Sequence, residues 1–410
     1  MPAATPPAAL THALARQNAP GRVPVTLLTG FLGAGKTTLL NRLIASADMA
    51  TAAVFINEFG EVGIDHHLVE RIDDALVILD SGCLCCTVQG DLIAELKRLH
   101  DRMARRDIPP VSRVVIETTG LADPAPVVRA LMEDRFVAAR FRCDGIVTVV
   151  DCAHAEAELA RHREARVQVS MADRIVLSKT DQADRAGRAA LDRRLAGLNP
   201  AAPRLSTDEA AAMPERLFGG GVYATEEPPQ DLGGWLGDVV WDAAPPAPLH
   251  GPHTGRVRSF TVPLGGPVPW RGFALRIGEI LSRWEGPLLR LKGIVAVEGI
   301  TLPTAIQCVQ ATAYAPVRLD AWPNAGPLAT RQGALVFIGE DLGAADEAAI
   351  RALLADLPAD RPALRQAAAL PGLPTRTWLS ERMPLAQRLP LVAEAFLVQP
   401  RFLGDMQRRA

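Results

Sequence analysis

Six apolar runs constrain the fold more than any other feature of this chain: VPVTLLTG (Val23 to Gly30), AAVFINEFG (Ala52 to Gly60), LVILDSG (Leu76 to Gly82), RVVIETTG (Arg113 to Gly120), GIVTVVD (Gly145 to Asp151) and RIVLSKTD (Arg174 to Asp181). They are β-branched and continuous rather than alternating, and each ends in Gly, Asp or a polar turn, as strands covered on both faces do. Amphipathic segments lie between them, such as Asp91 to Met103, where Leu92, Leu96, Leu99 and Met103 recur at helical spacing. This alternation predicts an α/β domain with a mainly parallel sheet, whose ligands bind where the strands end. Residues with chemistry to do should therefore follow each run.

The first run leads into Gly30-Phe31-Leu32-Gly33-Ala34-Gly35-Lys36-Thr37, which fits G-x-x-x-x-G-K-[ST] between a strand and a helix. Gly30, Gly33, Ala34 and Gly35 can turn backbone N–H groups toward phosphate oxygens, and the helix start at Lys36, Thr37 and Thr38 adds positive potential. Lys36 would neutralise the β/γ-phosphates and Thr37 would ligate Mg²⁺. A turn that merely joined strand to helix would not need Lys-Thr at this register.

The last run ends in Ser178-Lys179-Thr180-Asp181. Asp181 can accept from the N1–H and 2-amino group of guanine, for which adenine has no equivalent, and the Lys179 stem can cover the base. GTP is thus expected rather than ATP, the competing role being a solvated helix cap made by Thr180 and Asp181. Guanine-reading sequences usually begin with Asn, and Ser178 in its place removes a side-chain amide contact. The fourth run ends in Glu117-Thr118-Thr119-Gly120, where Glu117 can hold Mg²⁺ through water or orient the attacking water and Gly120 can offer its N–H to a γ-phosphate. Asp80 and Asp65 compete for the Mg²⁺ shell, and each could equally be a structural cap. No positioned Gln or internal arginine finger is evident, so slow unaided hydrolysis is expected.

Cys83, Cys85 and Cys86 fall between the third run and the helix that follows it. A turn after Gly82 could converge the three thiolates on a metal, leaving one tetrahedral position for Glu58 or a nearby His; an incomplete sulfur set suits a metal that is passed on. Two other roles stay open, a redox pair at the Cys83-x-x-Cys86 spacing and small buried core residues. Cys143, Cys152 and Cys308 are scattered, unlike a secreted disulfide framework, which fits a reducing compartment.

With these motifs in order, namely Gly30 to Thr38, Asn57 to His66, Gly82 to Cys86, Glu117 to Gly120 and Ser178 to Asp181, the sequence resembles the CobW-type metallochaperone GTPases. The resemblance implies a P-loop GTPase that binds Zn²⁺, or Co²⁺ in some members, through Cys83, Cys85, Cys86 and Glu58 and delivers it to a client apo-metalloenzyme. It also implies a smaller α+β C-terminal domain, matched by GRVRSFTVPL, the segment Trp270 to Trp284, LLRLKGIVAVEG and ALVFIGEDL. A GTP-dependent regulatory switch with structural or redox-active cysteines is the alternative.

The expected organisation is a flexible segment over 1–21, a GTPase domain over 22–240, a Pro/His-containing linker over 241–256, the second domain over 257–342 and a helical extension over 343–410. His250 and His253 in the linker, and His66 and His67, could assist metal transfer or simply face water. The 410 residues carry 44 Lys+Arg against 46 Asp+Glu, so no net field recruits nucleic acid or an anionic membrane. No run reaches the roughly 18–20 apolar residues of a membrane span, and the first 22 residues lack a signal-peptide pattern. A cytoplasmic location is expected, with a homodimer among the assemblies the sequence allows.

Overall fold

The computed structural model describes residues 21–46, 49–56, 77–80, 88–219, 257–322, 327–370 and 372–380. In the first half, strands β1 (Val23–Gly30), β2 (Ala52–Ile56), β3 (Val77–Asp80), β4 (Arg113–Glu117), β5 (Phe141–Asp151), β6 (Arg174–Ser178) and β7 (Arg204–Ser206) form one sheet. Their order is β3-β2-β4-β1-β5-β6-β7 and every pairing is parallel. The connecting helices are α1 (Lys36–Ile44), α2 (Val88–Arg105), α3 (Ala125–Glu133), α4 (Arg135–Arg140), α5 (Ala155–Arg161), α6 (Arg163–Met171), α7 (Arg185–Leu198) and α8 (Thr207–Ala212).

Both faces of this sheet are covered, which is why its strands read as unbroken apolar runs. On one side Val25, Leu27 and Ile116 pack with Leu92, Leu96 and Leu99 of α2; on the other Leu28, Val115 and Val149 pack with Leu39, Leu40 and Leu43 of α1. Helix α2 extends three residues before and two beyond the segment Asp91 to Met103. The strands stop earlier than the runs do: β2 ends at Ile56, β3 at Asp80 and β6 at Ser178, so the motif residues follow the strands.

The register aligns those ends. Leu28 of β1 is opposite Glu117 of β4, Glu117 is opposite Ile56 of β2, and Ile56 is opposite Asp80 of β3. Neighbouring strands lie about 4.8 Å apart. Glu117, Ile56 and Asp80 therefore form one row along the carboxyl edge, beside the strand that feeds the glycine-rich loop.

The second half is an antiparallel sheet of β8 (Val257–Pro263), β9 (Leu288–Val295), β10 (Thr304–Val309), β11 (Thr312–Ala313), β12 (Val317–Arg318) and β13 (Ala334–Glu340), with order β11-β10-β9-β13-β8 and β12 paired to β10. Helix α9 (Trp270–Arg283) lies against one face, followed later in the chain by α10 (Ala344–Ala355) and α11 (Asp360–Ala368). Strand β13 alternates cleanly: Leu335 and Phe337 face α9, while Val336 and Ile338 join the core of the first half. Residues 344–370 and 372–380 are part of this packing. Trp378 is fully buried, accepts a hydrogen bond on its carbonyl from Trp270 Nε1 at 2.8 Å, and donates from its own Nε1 to the Tyr314 carbonyl at 2.7 Å. Among the described residues, no helix is long and apolar enough to cross a membrane.

A buried charge cluster joins the two halves. Arg290 and Lys292, two apart on β9 and so on one face, both meet Oδ1 of Asp173, the residue before β6. The Lys292 contact is 2.8 Å, and Asp173 Oδ2 accepts from the Ile146 N–H at 3.0 Å. Burial pushes the Asp173 carboxyl up, but Arg290 and Lys292 overcome it and hold the group below its ordinary range. Lys292 is pushed down to about 7 by burial and by Arg290, against the opposing pull of Asp173. Removing the carboxylate would strand two cations, so Asp173→Ala should cost on the order of 3–5 kcal/mol.

The Lys292 shift has a sign that can be measured. Between its folded value of about 7 and the ordinary lysine value the unfolded chain holds more protons, so stability should rise with pH in that window. Burial pushes Cys143, Cys308 and Tyr314 up, which acts in the opposite sense above roughly pH 8.5. From pH 7 to 8.5, denaturant titration of the wild type should therefore gain on the order of 1.5 kcal/mol relative to Lys292→Met. Parallel pH profiles for the two proteins would show that Lys292 is charged in both states.

Candidate functional site

The loop after β1 is shaped by its glycines. Gly30 runs so close to β5 that a Cβ there would lie 2.3 Å from the Val149 carbonyl oxygen, and its φ of 142° is one that side chains rarely adopt. Gly33 and Gly35 also have positive φ, at 72° and 90°. These reversals carry the chain back into α1, whose first turn has no acidic residue and whose N-cap, Gly35, supplies no capping side chain. The first amides of α1 are thus presented to an anion. Lys36 folds back over the loop, its Nζ donating to the carbonyls of Gly30 at 3.0 Å and Phe31 at 3.3 Å.

Three neighbouring strand ends hold this loop. From β4, Glu117 is buried and its Oε1 accepts from Thr37 Oγ1 at 2.7 Å, so the predicted Mg²⁺ hydroxyl and carboxylate already meet. The next residue, Thr118, donates from its N–H to the Leu28 carbonyl at 3.0 Å and from Oγ1 to Thr29 Oγ1 at 2.8 Å. Gly120 packs on the loop itself: a Cβ there would lie 2.6 Å from the Leu32 nitrogen.

From β6, Ser178 Oγ donates to the Ala34 carbonyl at 2.6 Å. The amide contact expected to be missing at this position is replaced by a hydroxyl that ties the loop to β6. Lys179, with φ at 50°, donates from Nζ to the Gly33 carbonyl at 3.0 Å and pairs with Asp151 Oδ2 at 2.7 Å. Asp181 is exposed on a short 3₁₀ turn, Thr180–Gln182, while the cap of α7 is Asp184, which accepts from the Gly187 N–H at 2.6 Å. The capping alternative for Thr180 and Asp181 is therefore taken by another residue.

From β5 comes Asp151, which sequence reasoning noted only as the end of a run. Its Oδ1 accepts from the Ala153 N–H at 2.8 Å, and Oδ2 receives His154 Nδ1 at 2.9 Å as well as Lys179. Burial pushes its carboxyl up, but Lys179, His154 and the Ala153 N–H outweigh that and hold it below the ordinary range. The signal was its place at the carboxyl end of a strand beside the loop. Thr38 is exposed on the first turn of α1.

Glu58, Asp65, His66, His67, Cys83, Cys85, Cys86, His250 and His253 lie outside the described residues, and Asp80 closes β3. Among the described residues, no group of three or more His, Cys, Asp and Glu side chains is arranged to hold a metal. Cys143 and Cys308 are buried free thiols, and Cys152 is a half-buried one whose thiol burial and Asp151 push up.

Because the Ser178 hydroxyl joins two buried backbone segments, Ser178→Ala should cost about 1 kcal/mol of stability and weaken triphosphate nucleotide binding roughly fivefold. Calorimetric titration measures the second effect. Unchanged affinity would show that this bond does not shape the cradle.

Residues 24–206 match the nucleotide-binding domain family described as CobW/HypB/UreG, and residues 257–357 match the cobalamin synthesis protein CobW C-terminal domain. The chain is 33% identical to the zinc chaperone YjiA of Escherichia coli over 335 residues, covering 82% of this chain and 98% of YjiA. It is 31% identical to the zinc chaperone CobW of a Sinorhizobium species over 390 residues, covering 85% of this chain and all of the relative. The crystal structure of Zn(II)-bound YjiA GTPase from E. coli superposes with a TM-score of 0.56 at 29% identity, covering 82% of this chain and 99% of that one. The glycine-rich cradle, the strand order that surrounds it and the second antiparallel domain thus have one common source, and the chain belongs to the CobW family.

Proposed function

We propose that this chain is a GTP-hydrolysing metallochaperone that binds Zn²⁺ through Cys83, Cys85, Cys86 and Glu58 and hands it to a client apo-metalloprotein. Its relatives are zinc chaperones, and the structure of one of them is that of a Zn(II)-bound GTPase. As a member of their family, this chain is a GTPase. The observation that carries the metal reading is the row of strand ends.

Ile56 and Asp80 are register partners, so the segments leading to Glu58 and Cys83 start about 4.8 Å apart. Glu58 is two residues beyond one end and Cys83 three beyond the other, within a reach of roughly 7 and 10 Å. Glu117, on the other side of Ile56, touches the Thr37 hydroxyl. Cargo and nucleotide would therefore share one edge of the sheet. Zn²⁺ fits three thiolates and a carboxylate, and Co²⁺ is the other metal this donor set admits.

On the nucleotide side, Gly30, Gly33, Ala34 and Gly35 wrap the phosphates, together with the N-terminal amides of α1 through Thr38. Lys36 exchanges its two loop carbonyls for the β/γ-phosphate oxygens, so its charge is delivered without unfolding the loop. Thr37 and Glu117 would hold Mg²⁺, one directly and the other through water; that ion would neutralise charge on the phosphates. Glu117 also orients the attacking water, and Gly120 offers its N–H to the γ-phosphate. Asp181 reads guanine through N1–H and the 2-amino group. Lys179 covers the base with its stem while Gly33 and Asp151 hold its ammonium; Ser178 supports the loop rather than the base.

Two measurements test this. X-ray absorption on the Zn²⁺-loaded full chain should report three sulfur neighbours near 2.3 Å and one lighter atom, and substituting Cys83, Cys85 and Cys86 together by Ser should abolish tight binding. Zinc bound as tightly by the substituted protein would favour a GTP-dependent switch with structural or redox-active cysteines. In parallel, Lys36→Ala should remove GTP turnover and leave thermal stability near wild type; turnover near wild type would overturn the assignment of the cradle.

A further inference from the structure

Gln168 is fully buried in the middle of α6, and none of the nucleotide motifs contains it. Its side-chain amide reaches the loop that follows Glu117. Nε2 donates to the carbonyl of Gly120 at 3.1 Å and to that of Ala122 at 3.0 Å. Both protons of one amide group are thus spent on two carbonyls that flank Leu121, an exposed residue. The segment has no strand or helix hydrogen bonding of its own at these carbonyls, so the side chain takes the place of secondary structure.

The support behind Gln168 is rigid. Its backbone carbonyl accepts from Thr148 Oγ1 of β5 at 2.8 Å. At the end of the same helix, Asn199 Nδ2 donates to the carbonyls of Val169 at 2.9 Å, Ser170 at 3.2 Å and Ala172 at 2.9 Å. The Oε1 of Gln168 is buried without a hydrogen-bond partner among the described residues. A residue that only filled space would be better apolar, since an unsatisfied buried acceptor is costly. What distinguishes glutamine here is the pair of donors aimed at the loop.

We infer that Gln168 is a positioning residue for GTP: by gripping the Gly120 and Ala122 carbonyls it fixes the loop so that the Gly120 N–H faces the γ-phosphate. This rests on the reading of Gly120 given above. The opposite side of Gly120 is closed by the Leu32 backbone, so the glycine is held between α6 and the phosphate loop. Because GDP lacks the γ-phosphate, the grip stabilises the triphosphate complex and is neutral toward the diphosphate. Gln168 is fully buried and acts through the loop alone.

The test compares Gln168→Met and Gln168→Glu, both close in size and lacking the amide donors, with Gly120→Ala in the full chain. Affinities for GDP and for a non-hydrolysable GTP analogue are measured beside kcat and KM. For both Gln168 variants the analogue should bind about tenfold more weakly and kcat should fall about tenfold, while GDP affinity stays within about twofold, as loss of two modest hydrogen bonds implies. Equal losses for GDP and the analogue would reduce Gln168 to a structural role, and wild-type behaviour in both variants would overturn the inference.

Gly120→Ala separates the two layers of the argument. If it loses affinity for the analogue while GDP binding is kept, and the Gln168 variants do not, only the inference about Gln168 fails; a Cβ pressing on the Leu32 backbone would by itself weaken both nucleotides alike. If Gly120→Ala also binds and turns over nucleotide like the wild type, the reading of Gly120 fails with it. A readout independent of folding defects is exchange of the Gln168 side-chain amide protons in the selectively labelled wild type. Protection in the analogue complex supports the grip, and exchange at the rate of a solvated amide would overturn it.

Discussion

The structure of the site depends on how closely one loop is packed between its neighbours. Gly30 lies against the Val149 carbonyl on one flank, and Gly120 closes against Leu32 on the other. Ser178 and Lys179 hold the carbonyls of Ala34 and Gly33 from above. Two of these contacts are close packing of backbone on backbone and two are side-chain hydrogen bonds to loop carbonyls, and together they fix the path of the loop. Preorganisation of this kind lowers the ordering cost of binding. It also means that the strands bringing those contacts, β4, β5 and β6, are mechanically part of the nucleotide site.

Strand β6 has two such roles. Its last residue, Ser178, ties the phosphate loop, while the residue before its start, Asp173, pairs with Arg290 and Lys292 of the second domain. One short strand therefore has one end in the interface and the other in the cradle. The interface itself is mainly apolar, with Val336 and Ile338 entering the same core as Phe141 and Ile175. A buried ion cluster in such a surface is a weak source of stability but a strict one of register, since any misdocking leaves charges unpaired.

Much of this was legible in the sequence, for physical reasons. A strand buried on both faces must be continuously apolar, so β1, β2, β4, β5 and β6 announced themselves, and a phosphate cradle must combine glycines with Lys-Thr at a helix start. Less legible were contacts between residues far apart in the chain. Gln168 sits in the polar-looking stretch REARVQVSM with nothing local to mark it, and its partners are 46 and 48 residues away. Likewise LLRLKGIV shows two cations in an apolar strand, but only the fold reveals that Asp173 meets them. Ser178 was read by what it lacks, an amide, and its hydroxyl turned out to perform the tethering. The cysteine motif and Glu58 were read from residue chemistry and family resemblance, and the contribution of the fold is the adjacency of the strands that lead into them.

That adjacency makes the proposal a thermodynamic one: zinc bound by the segments that follow β2 and β3 would lie beside the nucleotide, with Glu117 between the phosphate loop and β2, and the two ligands are expected to alter each other's affinity. Competition for Zn²⁺ against a calibrated chelator, run on the full chain with a non-hydrolysable GTP analogue, with GDP and without nucleotide, measures this most directly. The account predicts zinc affinities that differ by roughly 5- to 150-fold between the analogue and GDP states, mirrored by the same factor in nucleotide preference when zinc is varied. Zinc affinity identical in all three states would contradict it.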